Sequence, residues 1–322
     1  MSVQRLLDEF LAERHALGFV ANTDEHILRR FLKDFVEPET GEIEFTKEYV
    51  LNHVGHRPNV QTNTVLRDVC AINCFLDFVI RKGYTAYKIP QRSLPKEIRN
   101  FKAYIFTDDE IKRILNSADN IAFSEHNPFR HLQLPVMFRI LFNCGLRISE
   151  LLDLRRLDVN MDERVFTILD AKFHKNRLVP FSDAVAESLE VYLCNMPPAT
   201  EDSYLFPSFS NENGRYGYSW IHNQFRFLLR LAHIPYGGKG KGPRPHDTRH
   251  TFAVHCLNNW VFSGEDLTSA LPVLSRYLGH VGLSGTQKYL QLTAEMYPTV
   301  VREVESRFGS LIPAVEGANE TV

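Results

Sequence analysis

The hydrophobic positions in the first 83 residues recur with the spacing of an α-helix. Apolar side chains stand three or four residues apart in four separate segments, and each segment predicts a helix with one buried face. Thr46 is a suitable N-cap for the third segment, and Gly83 is a suitable stop for the fourth. No strand pattern interrupts them. The predicted helices cover residues 6–17, 27–35, 46–53 and 62–79.

The stretch that follows breaks this periodicity. Residues 84–102 contain Pro90, Pro95 and five basic side chains, a composition typical of a linker. Thr107 and Glu110 then have the spacing of a capping box, which predicts the start of a new helix. The expected organisation is a helical domain over 1–86, a basic linker over 87–104 and a second domain over 105–322.

The second domain mixes helical and strand patterns. A helix is predicted to end at Gly145, and two runs rich in β-branched and aromatic residues predict strands on either side of a turn at residues 170–176. The fold class is therefore mainly α with a small β-sheet, a helical first domain being followed by an α+β domain. The strands are predicted at 165–169 and 177–181, and the helices at 131–144, 184–194, 221–231, 246–260, 271–278 and 294–308.

Composition narrows the class of protein only a little. Apolar residues make up 44% of the chain and charged residues 24%, which is usual for a globular protein. There is no signal-peptide pattern and no apolar run long enough to cross a membrane. Five cysteines, an odd number in apolar settings, indicate reduced thiols in a cytoplasmic protein.

The charge is distributed unevenly along the first domain. Residues 1–50 carry six Lys/Arg and eleven Asp/Glu, whereas residues 51–105 carry nine Lys/Arg and three Asp/Glu. Such asymmetry can mark a DNA-facing side, although random scatter over a solvated surface gives the same counts.

One polar stretch, residues 244–252 (RPHDTRHTF), stands at the start of a predicted helix. On that helix His246 lies three residues from Arg249 and four from His250, so it can share a face with either. An imidazole and a guanidinium at a helix N-terminus suit a phosphate group, because the site offers proton transfer, bidentate hydrogen bonds and free N–H groups. A capped helix with exposed polar residues is the alternative.

Five motifs occur in a fixed order along the second domain: Gly145-Leu146-Arg147-Ile148-Ser149-Glu150, Lys172, His246-Asp247-Thr248-Arg249-His250, Leu278-Gly279-His280, and Tyr289 nine residues after His280. This order and spacing resemble the tyrosine recombinase family, which includes phage-type integrases and Xer-like site-specific recombinases. The resemblance runs from about Thr107 to the end of the chain. The first domain resembles, more weakly, the SAM-like core-binding domain of that family.

The resemblance implies a role for each matching residue in DNA cleavage. Tyr289 would attack the scissile phosphate to give a 3′-phosphotyrosyl bond and a free 5′-hydroxyl. The other implied catalytic residues are Arg147 and Arg249 on the phosphate oxygens, His246 assisting the tyrosine, Lys172 protonating the leaving oxygen, and His280 hydrogen-bonded to the phosphate. Glu150 and His250 are expected to support them.

For two of these roles, the lysine and the nucleophilic tyrosine, other residues nearby in the sequence are alternatives. Lys175 lies on the same turn as Lys172, and Tyr277 and Tyr297 flank Tyr289 in sequence. Basic side chains at the end of the fourth helix, in the linker, in two loops and at the start of the 244–252 stretch are candidate DNA contacts. They are Arg81, Lys82, Lys88, Arg92, Lys96, Arg99, Lys102, Lys175, Lys239, Lys241 and Arg244.

The implied reaction needs no metal or ATP, and no cofactor is expected. The expected partner is double-stranded DNA with a specific core site, bound by four protomers on two duplexes through a Holliday junction, in the cytoplasm at the nucleoid. An apolar tail (Phe308, Leu311, Ile312) would dock on a neighbouring protomer or on its own domain. With no further domain before residue 1, simple core sites are expected.

Three other functions compete with recombination. They are DNA relaxation of the type IB topoisomerase kind, DNA-binding regulation on an inactive recombinase scaffold, and metal-dependent hydrolysis by histidines. The six matching residues argue against an inactive scaffold. The sequence shows no metal-ligand spacing for a hydrolase.

Overall fold

The structure, a computed structural model, describes residues 2–19, 22–37, 42–54, 60–96, 103–169, 176–238, 241–280, 286, 288–290 and 292. They form two compact units, one built from residues up to 96 and the other from residue 103 onward. Several predicted residues lie outside the described ones: Lys172, Lys175, Arg99, Lys102, Lys239, Tyr297 and the apolar tail at 308–312.

The first unit contains the four helices that the hydrophobic pattern predicts. Phe10 of the first helix packs edge-on against Phe75 and Phe78 of the fourth, with each pair of ring centroids 5.5 Å apart. The long fourth helix therefore lies at the centre of this core. The helices are α1 (Val3–Ala16), α2 (Asn22–Leu32), α3 (Lys47–Val54) and α4 (Thr62–Arg81).

Two short strands correct the prediction that residues 1–83 contain no strand. β1 (Glu44–Phe45) pairs in parallel with β2 (Thr85–Ala86). Strands of two residues are too short to show an alternating pattern, so the hydrophobic periodicity could not reveal them.

The first unit's core also continues past residue 86, into the stretch predicted as linker. Ile89 is buried, and its backbone exchanges two hydrogen bonds with the side-chain amide of Asn73, at 2.9 and 3.1 Å. Leu94 packs on the same core. Among the described residues of this stretch, Pro90, Pro95, Lys88, Arg92 and Lys96 thus belong to the first unit.

The second unit begins with the predicted capping box. The Thr107 hydroxyl accepts from the Glu110 N–H at 3.2 Å, and the Glu110 carboxylate accepts from the Thr107 N–H at 2.9 Å. Its helices are α5 (Asp108–Asp119), α6 (Arg130–Cys144), α7 (Ile148–Asp153), α8 (Asp183–Cys194), α9 (Tyr218–Leu231), α10 (Asp247–Phe262) and α11 (Leu267–Tyr277). α6 is apolar on nearly every side and lies in the centre of the core, as such a pattern requires.

A small antiparallel sheet with strand order β3-β4-β5 completes this unit. It contains β3 (Val159–Asn160), β4 (Val165–Ile168) and β5 (Arg177–Pro180). Ile168 pairs with Arg177, so the two predicted strands form a hairpin. The mainly helical fold with a small sheet is therefore confirmed. None of the helices in the described ranges has the length and apolar content needed to cross a membrane.

Candidate active site

The turn between α6 and α7 places Arg147. Gly145 ends α6 in the left-handed region, with φ of 59°, and a Cβ atom at this position would lie 2.4 Å from the ring of Phe252. Only glycine fits both conditions. Arg147 follows as the N-cap residue of α7, and its backbone N–H donates to the Glu150 carboxylate at 2.8 Å.

Glu150 lies among three guanidinium groups. Arg147 donates to its carboxylate at 2.6 Å, Arg177 donates with both Nη atoms at 2.9 and 2.8 Å, and Nη1 of Arg249 lies 3.9 Å away. Burial by itself would raise the pKa of Glu150, but hydrogen bonds and charge from Arg177 and Arg147 lower it below its ordinary value. The carboxylate is therefore ionised, and its one negative charge faces three positive ones.

The C-terminal end of α11 is shaped by Gly279, which has φ of 65°. The His280 N–H donates to the Ser275 carbonyl and the Gly279 N–H to the Arg276 carbonyl, both at 3.0 Å. This is the Schellman arrangement, which ends a helix and directs the chain away from its axis. It places His280 directly after the helix. The carbonyl groups of Tyr277, Leu278 and Gly279 remain available to donors from other parts of the chain.

Three successive carbonyl oxygens at this helix end each accept a hydrogen bond from one arginine. The last carbonyls of a helix lack partners within the helix and carry its partial negative charge, so they attract cations. The pairs are Tyr277 with Nε of Arg177 at 2.8 Å, Leu278 with Nη2 of Arg249, and Gly279 with Nη2 of Arg147 at 2.7 Å.

Arg249 is the most deeply buried member of this cluster, with 1% of its surface exposed. Its Nη1 also donates to the Gly145 carbonyl at 2.8 Å. Burial, and then the positive charge of Arg147, lower the pKa of Arg249 to about 10, so the group stays protonated at neutral pH. A buried cluster with more positive than negative charge favours an anion such as phosphate.

Tyr289 lies close to Arg249 and next to two histidines. Its phenolic oxygen is 3.2 Å from Nδ1 of His250, and its ring stacks on His280 with centroids 5.9 Å apart. The His246 ring stands perpendicular to that of His250, 4.9 Å between centroids. Nδ1 of His280 lies 2.9 Å from the Thr286 hydroxyl.

The three histidines are neutral at physiological pH. Burial, together with neighbouring positive charge, lowers the pKa of His246 to about 4, of His250 to about 3 and of His280 to about 4. Burial raises the pKa of Tyr289, and Arg249 partly opposes this rise. The phenol is therefore neutral as well, and it needs help to lose its proton.

Tyr277, the competing candidate for the nucleophile, is held in place by a backbone hydrogen bond and by ring packing. Its hydroxyl donates to the Cys144 carbonyl at 3.1 Å, and its ring stacks on Phe252 with centroids 5.4 Å apart. The structure thus brings Arg147, His246, Arg249, His280 and Tyr289 together with Glu150 and His250, and leaves Tyr277 in the packing beneath them.

Sequence reasoning missed two cations at this site. The sequence predicts Arg177 only as the first residue of a strand, and its single signal is a basic residue just after the turn at residues 170–176. Lys288 precedes Tyr289, and its ammonium nitrogen lies 5.2 Å from the centre of the Tyr289 ring. Among the described residues, no group of three His, Cys, Asp or Glu side chains suits a metal ion.

Some of the residues predicted to contact DNA form ion pairs within the protein, and others are exposed. In the first unit Arg81 pairs with Glu13 at 2.7 Å and Lys82 with Glu9 at 2.8 Å. The basic segment therefore neutralises part of the acidic one. Lys88 pairs with Asp77 at 2.5 Å, Arg244 pairs with Asp247 at 3.0 Å, and Arg92, Lys96 and Lys241 are exposed.

A helical domain with a small hairpin sheet, clustered arginines and a buried tyrosine next to histidines defines the tyrosine recombinase class. A family model described as the phage integrase family matches residues 105–296, which is more than half of the chain. The chain belongs to the phage integrase family, and it is a site-specific recombinase.

Individual relatives agree with this. The chain is 28% identical to y4rB of Sinorhizobium fredii, named as an integrase/recombinase, over 95% of this chain and 98% of the relative. It is 30% identical to the tyrosine recombinase XerD of Bradyrhizobium diazoefficiens over 66% of this chain and 64% of the relative. Among solved structures, the Tn1549 transposon integrase in complex with transposon right end DNA shares the fold, with a TM-score of 0.62, 16% identity, and coverage of 96% and 100% of the two chains.

Proposed function

We propose that this protein recombines DNA through a covalent bond between Tyr289 and the scissile phosphate. The observation that carries the proposal is the position of the phenol, which lies 3.2 Å from a neutral imidazole and beside a cluster of arginines around the Glu150 carboxylate. A phenol next to a proton acceptor and an anion site is the arrangement that phosphoryl transfer to tyrosine requires.

The proposed step forms a bond between the Tyr289 oxygen and phosphorus and breaks the bond to the 5′-oxygen. Arg147 and Arg249 hold the non-bridging oxygens, and His280 adds a hydrogen bond. The phenolic proton passes to Nδ1 of His250, and the neighbouring His246 assists. Lys172 protonates the departing 5′-oxygen. Attack by another 5′-hydroxyl reverses the step and joins the new strand, so the bond energy is conserved and no ATP is consumed.

Double-stranded DNA with a specific core site is the proposed partner. Four protomers would act on two duplexes through a Holliday junction, and the protein would work in the cytoplasm at the nucleoid. The resemblance in fold to a transposon integrase bound to transposon DNA supports a role in a mobile element. We also propose a first domain that ends at 86, a linker at 87–104 whose Ile89 and Leu94 pack on that domain, and a second domain from 105. The proposed basic DNA contacts include Arg99, Lys102, Lys175 and Lys239.

Covalent trapping in the native host tests the proposal and identifies the target site. Cells that express the tagged protein are lysed in SDS with EDTA, and DNA that stays attached to the protein is recovered and sequenced. Tyr289→Phe should abolish the adduct. Tyr277→Phe is the matched control, because within the described residues this hydroxyl donates to the Cys144 carbonyl, and it should keep the adduct.

Each outcome of the trapping has a separate meaning. An adduct in Tyr289→Phe would show that another residue is the nucleophile. Absence of an adduct from the wild type, with DNA binding intact, would replace recombination by the regulator function. Relaxation of supercoiled DNA without strand exchange would favour the topoisomerase alternative, which the relatives do not favour.

A further inference from the structure

We infer that Arg177 is a positioning residue of the cleavage site, which acts on the phosphate-binding Arg147 through Glu150. The inference rests on the proposed function. Arg147 and Arg177 share one carboxylate oxygen. Nη1 of Arg147 lies 2.6 Å and Nη1 of Arg177 lies 2.9 Å from Oε1 of Glu150.

Exposure separates the two arginines. The Arg147 side chain is 33% exposed, whereas those of Arg177 and Glu150 are 10% exposed. All three nitrogens of the Arg177 guanidinium donate to protein oxygens, two on Glu150 and one on Tyr277. Arg147 therefore presents a face to a bound phosphate, while Arg177 is committed to holding other groups in place.

Arg177 restrains Glu150 by occupying both carboxylate oxygens. Without it, the buried carboxylate would keep only the backbone N–H and the guanidinium of Arg147 within hydrogen-bond distance, with Nη1 of Arg249 3.9 Å away, so Arg147 would be its nearest guanidinium. A two-pronged Arg147–Glu150 pair would be strong, because bidentate contacts between guanidinium and carboxylate are among the strongest charged hydrogen bonds in proteins. It would turn Arg147 away from the phosphate.

Arg177 also joins the strand hairpin to the helix end that orders the site. Nε of Arg177 donates to Tyr277, and a Cβ atom placed at Gly279 would lie 3.1 Å from its Nη1 and 3.5 Å from that of Arg147. The two guanidiniums and this glycine are thus in close contact. A lysine carries the same charge but cannot fill all three acceptors at once, because it lacks the planar fork.

The first experiment compares Arg177→Gln with the wild type in single-turnover cleavage of the trapped DNA site. We expect the rate to fall about 100-fold, the order of loss when one transition-state donor is displaced, with DNA affinity unchanged within about twofold. The cleavage rate of Arg177→Lys should lie between those of Arg177→Gln and the wild type. Arg139→Gln is the matched control: Arg139 makes a bidentate pair with Asp119 at 2.6 and 2.7 Å, away from the site, and should cleave normally.

Two further measurements distinguish positioning from loss of folding. A methylphosphonate at the scissile position lacks one negative charge and depends less on Arg147, so the Arg177→Gln defect should shrink to within about tenfold. Adding Glu150→Gln to Arg177→Gln removes the competing charge and should restore part of the cleavage rate. Circular dichroism melting of each variant reports whether the fold is retained.

The inference fails if the Arg177→Gln defect is the same on phosphate and methylphosphonate, or if Glu150→Gln deepens it, since both results indicate a structural role alone. Wild-type cleavage by Arg177→Gln would also overturn it. Failure of the proposed function looks different, because the wild type would then form no adduct or Tyr289→Phe would still form one.

Discussion

Nη1 of Arg249 donates to the carbonyl oxygen of Gly145 at 2.8 Å, across 104 residues of sequence. Gly145 also ends α6 and directs the chain into Arg147. The same turn therefore presents one arginine of the site and anchors the other. Two motifs that are far apart in the chain depend on a single left-handed glycine.

We predict that Gly145→Ala displaces Arg147 and Arg249 and lowers the free energy of unfolding. An L-residue in the left-handed region costs about 1–2 kcal/mol, and the overlap with the Phe252 ring adds an overpacking cost of about 1–3 kcal/mol. Urea unfolding measures the sum. Gly264→Ala is the matched control, since Gly264 has φ of 74° but open space around it, and it should show the backbone cost alone. Equal losses in the two variants would contradict the role of Phe252.

The contact between His250 and Tyr289 predicts an energetic coupling. A buried hydroxyl that loses its partner costs about 1–3 kcal/mol, so His250→Leu should destabilise the protein more when Tyr289 is present than in a Tyr289→Phe background. A double-mutant cycle in urea unfolding should give a coupling of about 1 kcal/mol. Additive effects would mean that the two groups do not interact.

The buried histidines predict a loss of stability in mild acid. Their pKa values of about 4, 3 and 4 lie below the ordinary 6.5, so the unfolded chain binds protons first as the pH falls. The stabilising contribution is complete above pH 6.5 and is lost progressively toward pH 4.

Thermal melting between pH 7.5 and 5 checks this, in a range above the titration of ordinary carboxylates. His250→Asn should lower the slope of unfolding free energy against pH by about one proton. A slope unchanged in the variant would show that His250 titrates normally in the folded protein.

Exposed basic residues predict a salt-dependent DNA affinity. If Lys96 contacts a phosphate, Lys96→Gln should reduce the slope of log K against log salt by about 0.9. Lys33 is exposed on the first unit but lies outside the basic segment, so Lys33→Gln serves as the control. The same change in both variants would indicate a general charge effect rather than a contact at residue 96.

Long, strongly periodic elements were predictable from sequence, and contacts between distant segments were not. The apolar run of α4 and the capping box of α5 carry local signals, and the structure places both as predicted. α11 begins at Leu267, four residues before the predicted start, because Asp266 caps it by accepting from the Thr268 N–H at 3.0 Å.

The candidate site likewise contains residues that sequence motifs indicate and residues that only distant contacts define. The spacing of motifs indicated Arg147, Arg249 and Tyr289, whereas Arg177 has partners 27 and 100 residues away and no motif of its own. Backbone acceptors leave no trace in a sequence at all. The hydrogen bonds at the end of α11 were therefore beyond the reach of pattern analysis.

Those backbone hydrogen bonds have an evolutionary consequence. Every residue type has a carbonyl group, so the arginines do not depend on which side chains stand at positions 277 and 278 for these contacts. The positive φ and tight contacts of Gly279 do restrict position 279. Descendants of this protein can thus diverge along α11, changing how it packs and what it contacts, while inheriting the same arrangement of charge at the proposed phosphate site.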